Sequence, residues 1–93
     1  MAESSVGGSM VWSRLDWHTP VFLNLPGAAD PEPILAVDEA SEFLANRWPA
    51  EKTAVYWEAA NLCRRCIHGQ VGPLEARDAL VAAAEEAGIH MAA

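Results

Sequence analysis

The chain has 93 residues, 52% of them hydrophobic, and carries 13 acidic against 6 basic side chains for a formal net charge of −7. That length holds one small domain, and that apolar fraction excludes wholesale disorder. The acidic balance argues against nucleic acid and anionic membrane surfaces as partners, because both need clustered lysine and arginine, and here only Arg64 and Arg65 are adjacent.

No apolar run approaches the ~20 residues of a membrane span. The start, "MAESSVGGSM", lacks a basic region followed by a continuous apolar one, so it does not read as a secretory signal. A cytoplasmic location is therefore expected, with Cys63 and Cys66 as reduced thiols. Residues 1–14 are rich in Ser and Gly and read as a disordered leader; residues 15–90 read as one small domain.

Along that domain, "TPVFLNL" (Thr19 to Leu25) alternates apolar residues and predicts a strand. The prolines and glycine of "PGAADPEP" mark a turn, and "ILAV" (Ile34 to Val37) predicts a second strand, giving a hairpin. The period then becomes helical in "DEASEFLANRW", with Asp38 and Glu39 suited to the positive end of the helix dipole. Pro49 is expected to stop this helix at Trp48, since the residue before proline avoids helical geometry. A second helix is expected from the N-cap Thr53 to His68, with Gly69 as its C-terminal cap. A third begins at Gly72-Pro73 and ends at Gly88. The order is β-β-α-α-α, an α+β fold in which a two-stranded hairpin packs on three helices.

"LCRRCIHG" holds both cysteines. Cys63 and Cys66 share a stripe with Val55, Tyr56, Ala59, Leu62 and Ile67 at spacings of three and four, so they read as small core residues. A c-type haem site would need the histidine directly after the second cysteine, but Ile67 stands there. His68 lies ~200° around the helix from Cys66 and cannot easily join both thiols on a metal. A thioredoxin-type pair sits at a helix N-terminus, and this pair is near a C-terminus. The alternative reading keeps Cys63 and Cys66 as a redox or metal-binding pair.

Other candidates are structural or interfacial. Trp48 and Pro49 are expected to close the first helix, with Trp48 wedged among the helices so that Trp48→Ala abolishes cooperative unfolding. Arg77 is expected to pair with Glu39 or Glu42. Trp57 falls on the polar side of the second helix, either packed on the leader or acting as an interface anchor. Phe22 and Leu23 are candidate interface residues, because the hairpin offers open edges and the first strand carries no charge to deter pairing. That edge is the expected seam of a homodimer, unless the leader folds back over it through Trp12 and Trp17. His18, His68 and His90 read as surface histidines, and the adjacent Glu85 and Glu86 point to different sides of a helix. No catalytic, metal or cofactor constellation is visible.

Four pieces, "PVFLNL", "DEASEFLANRWP", "AANLC" and "EARDALVAAAEEAGI", occur in this order between about Trp17 and Ile89. On them the chain resembles domain of unknown function 982, a family of small, mostly alphaproteobacterial proteins. The resemblance implies an α+β fold and no established activity. The chain departs from the family at Cys66, usually a small apolar residue there, and at Ala36, where many members carry a Ser that would cap the first helix. The expectation is thus a small non-catalytic interaction or regulatory module that self-associates and binds an unidentified protein partner. The rivals are a thiol-based redox or metal-responsive protein and, third, an enzyme whose site forms across a dimer.

Overall fold

Alternation decides the first strand, β1 (Asp16–Asn24). Val21 and Leu23 are buried while Phe22 and Asn24 are exposed, so a sheet face lies on the core. The computed structural model describes residues 15–92, and the expected leader, with Trp12, lies outside them. The loop after β1 turns through Gly27 at a φ of 78°, where Ala28 N–H donates to Leu25 O. β2 (Glu32–Ala36) returns antiparallel to β1. The register slips between Asp16 and Val21, the stretch holding Pro20, which has no N–H to give the ladder.

β2 runs directly into α1 (Val37–Asn46), whose buried positions Val37, Ala40, Phe43 and Leu44 repeat at helical spacing. The N-cap is Ala36, which offers no side-chain acceptor. Glu39, three residues on, instead accepts from Leu35 N–H at 2.9 Å. That bond reaches one residue past the N-cap, so it is not the reciprocal bond of a capping box. Ala36→Ser supplies the missing acceptor, and the expected gain is about 1 kcal/mol, read as a rise in melting temperature of roughly 4–8 °C. An unchanged or lower midpoint would show that the buried hydroxyl finds no amide.

α1 ends at Asn46, two residues short of the expected Trp48. Pro49 drives the residue before it out of helical geometry, and Arg47 is already the C-cap. Arg47 forms a two-pronged ion pair with Glu32 on β2, at 2.9 and 3.0 Å. The Arg47 guanidinium holds the Glu32 carboxyl below its usual range.

α2 (Ala54–Ile67) and α3 (Pro73–Glu86) follow their punctuation closely. The Thr53 hydroxyl accepts from Tyr56 N–H and donates to Glu86, joining the start of α2 to the end of α3. Gly72 has no side chain to cap with, but Glu75 accepts from its N–H at 2.9 Å. Both helices end in the same way. Gly69 and Gly88 take positive φ, and the next residues, Gln70 and Ile89, donate back to Arg65 O and Ala84 O. This is the Schellman arrangement, which glycine makes without strain.

The second of these turns sends the chain into a strand that the sequence reading lacks, β3 (His90–Ala92). It pairs antiparallel with β1 through Phe22↔Ala92, Leu23↔Met91 and Asn24↔His90, so the sheet order is β2-β1-β3. The edge of β1 expected as a dimer seam is occupied there by the chain's own end. The fold is α+β: an antiparallel sheet, three-stranded among the described residues, with three helices.

Arg77 does not meet Glu39 or Glu42. Its Nε donates to Thr19 O at 3.3 Å, a carbonyl within the register slip of β1. Trp17, buried, donates from Nε1 to Pro73 O at 3.0 Å. These two bonds stitch α3 to the irregular half of β1. The core between sheet and helices holds Leu23, Ile34, Phe43, Leu44, Tyr56 and Leu80.

Candidate functional site

The opposite faces of α1 and α2 meet in a surface groove of about 450 Å³, a volume within the range of small-ligand and peptide-anchor sites. α1 contributes Ser41 and Ala45 to it. α2 contributes Trp57, Ala60, Asn61 and Arg64, positions i, i+3, i+4 and i+7 and therefore one helical face. The Tyr56 ring forms part of the lining, and its hydroxyl is spent inside, donating to Leu44 O at 2.6 Å.

Trp57 stands at this groove with 56% of its surface exposed. Its ring meets Tyr56 edge to face at 4.9 Å and 83°. The Lys52 ammonium sits over both rings, 5.6 Å from the Tyr56 centroid and 5.8 Å from that of Trp57. Arg64 donates from Nη2 to Asn61 Oδ1 at 2.5 Å. The aromatic edge and two cations are thus held in place by neighbours within the groove. Trp48, half-buried, packs beyond Tyr56 at 5.5 Å and donates from Nε1 to Glu51 O. Of the three described tryptophans, Trp17 and Trp48 spend their indole N–H on backbone carbonyls, whereas that of Trp57 has no protein acceptor among the described residues.

The other candidates separate by burial. Phe22 is 38% exposed and Leu35 46% exposed, and both lie on the outer face of the sheet. Leu23 is fully buried on the opposite face, beneath the helices. His68 and His90 are exposed, as are Glu85 and Glu86. Among the described residues, no three of His, Cys, Asp or Glu come together as a metal site. No helix among them is long and apolar enough to cross a membrane.

Cys63 and Cys66 are completely buried and unbridged. Burial pushes the Cys63 thiol up to about 12, with the neighbouring Cys66 a lesser cause. The thiolate is the reactive form, and at neutral pH Cys63 holds almost none of it. Thiol labelling is expected to be slow in the native protein and fast in denaturant. A pH effect follows as well. The thiol ionises near 9.0 when unfolded and about 12 when folded, so the unfolded state loses its proton first. Below pH 9 Cys63 leaves stability unchanged; above it, stability falls with pH by up to about 1.4 kcal/mol per unit until the folded thiol ionises. Melting temperatures from pH 8 to 11 should decline less steeply in Cys63→Ala than in the wild type. Rapid native labelling or equal slopes would overturn this account.

The profile of the family described as "Protein of unknown function (DUF982)" matches residues 19–91. Among solved structures, the chain is similar to the NMR structure of Agrobacterium tumefaciens protein Atu1219, with a TM-score of 0.74 and 33% identity, over 90% of this chain and 83% of that one. No curated protein matches the chain. Sequence reasoning singled out Trp57 but missed the groove. The signal was the second face of α2, with an alanine and polar residues beside a tryptophan at i+3, i+4 and i+7.

Proposed function

Because the chain belongs to DUF982, a family described only as of unknown function, no activity passes to it by kinship, and we propose that it is a small cytoplasmic, non-catalytic interaction module whose contact surface is the α1–α2 groove. The observation that carries this is Trp57: a large apolar ring, more than half exposed, with its N–H unspent among the described residues and its orientation held by Tyr56 and Lys52. An exposed tryptophan contributes little to folding but, once desolvated by a partner, is among the strongest contributors to binding.

The test compares the wild type with Trp57→Ala. The variant should keep its melting temperature within a few degrees while losing proteins that the wild type captures from a native host. If the two retain the same proteins, the groove is not the contact surface. Self-association belongs to the same reading, with the β1 edge no longer its seam along Phe22–Asn24. Light scattering at micromolar concentration reads it directly, since a mass near the 10.0 kDa of one chain rules out a dimer.

A further inference from the structure

We infer that the α1–α2 groove takes an acidic peptide segment with an apolar anchor, the anchor against Trp57 and its carboxylates against Lys52 and Arg64. The inference rests on the groove being the contact surface, and adds the chemistry of what it contacts.

Charge carries the argument. The chain has 13 acidic side chains, yet none of them lines the groove among the described residues, where the charged groups are Lys52 and Arg64. Two of the other cations are engaged elsewhere, Arg47 by Glu32 and Arg77 by the Thr19 carbonyl, and Arg65 is exposed on α2 outside the groove. Lys52 has aromatic faces rather than a carboxylate beneath it. Arg64 gives one N–H to Asn61, which leaves most of its five donors for a ligand. Among the described residues neither cation is paired with a carboxylate, and both line the groove beside an exposed ring.

The net charge of −7 argues for a basic partner only at long range. At physiological salt the screening length is about 8 Å, so the groups lining the groove outweigh the acidic surface beyond that distance for a bound segment; Glu51 and Glu58, next to Lys52 and Trp57 in sequence, are exposed outside the lining. Spacing narrows the ligand further. Lys52 lies by the Trp57 ring, and Arg64 is two helical turns further on, about 10 Å along α2 at 1.5 Å per residue. Ala60 and, across the groove, Ala45 present small apolar surface between them. The arrangement suits carboxylates about 10 Å apart flanking one apolar side chain, a span of roughly three residues of extended chain or two turns of helix.

The experiment is selection of a random 12-residue peptide library on the folded full chain, followed by fluorescence anisotropy of a selected peptide. Enriched sequences should combine Asp or Glu with a single aromatic or aliphatic anchor. Lys52→Glu and Arg64→Glu should each weaken binding roughly tenfold, and the double variant should prefer the same peptide with lysine in place of its acids. That exchange of preference cannot come from misfolding, and circular dichroism checks the fold of each variant. Enrichment of neutral or basic peptides whose binding is still lost in Trp57→Ala refutes the acidic partner and leaves the interaction module standing. Selected sequences that match the chain itself would make a second copy the occupant and refute the inference. No enrichment, or peptides indifferent to Trp57→Ala, overturns both.

Discussion

Phe43→Ala is expected to cost roughly 3–5 kcal/mol, among the largest losses from a single side-chain truncation in this domain. Phe43 is fully buried on the inner face of α1. Its ring meets Trp48 edge to face at 5.9 Å and 82°, and the Arg47 guanidinium lies 5.4 Å from its centroid. Removing it leaves a cavity and frees Trp48 from one of its two aromatic neighbours among the described residues. A domain of this size holds about 5–15 kcal/mol in all, so the midpoint of thermal unfolding should fall by about 15–30 °C. Trp48→Ala, expected from sequence to abolish cooperative unfolding, should do about half of that damage, because Trp48 is only half-buried and lies beyond the end of α1. Urea and thermal denaturation of both variants check the order. A Phe43→Ala midpoint within a few degrees of wild type would show that the core closes over the gap.

Leu23→Lys and Phe22→Lys should differ more sharply than any other neighbouring pair. Leu23 is fully buried between β2 and β3 in the sheet, facing the helices. A lysine there must bury an ammonium without a partner or push its stem out through the core, and either costs several kcal/mol. Loss of near-ultraviolet circular dichroism and of cooperative unfolding is expected. At Phe22, 38% exposed on the other face, the long stem of lysine can lie along the sheet and reach water. The cost there should stay within about 1 kcal/mol. Similar melting curves for the two variants would sink the assignment of faces.

The helices were legible because their ends are written in residue types with local causes. Thr53, Gly69, Gly72-Pro73 and Gly88 each act on backbone groups within a turn of themselves. α1 was placed less well. Its start has an alanine where a cap belongs, and its rescuer, Glu39, reaches back past the N-cap to Leu35. β3 was missed because three residues carry too little alternation to register, and its existence depends on β1 being within reach. Arg77 was misassigned for a related reason. Its acceptor, the Thr19 carbonyl, is presented by a slip in strand register, a property of two strands together. The groove was invisible in the same sense: the Trp57 face of α2 is readable, but its opposition to Ser41 and Ala45 is tertiary.

The Glu39 carboxylate acts on the sheet as well as on α1. Among the described residues β2 lies at the margin of the sheet, and an uncovered strand margin is a template on which other chains can nucleate. Pro33 has no amide hydrogen to give, and the amide of Leu35 is already claimed by Glu39 of α1. Alternate residues of a strand donate to the same side, so these two positions leave that stretch of the outer margin without a donor for an incoming strand. The carboxylate at the start of a helix thereby also closes a donor position on a sheet. With α1 formed, the Leu35 amide is engaged by Glu39 and is not offered to an incoming strand. A change that unwinds the start of α1 is therefore expected to reopen this donor on the outer margin of β2.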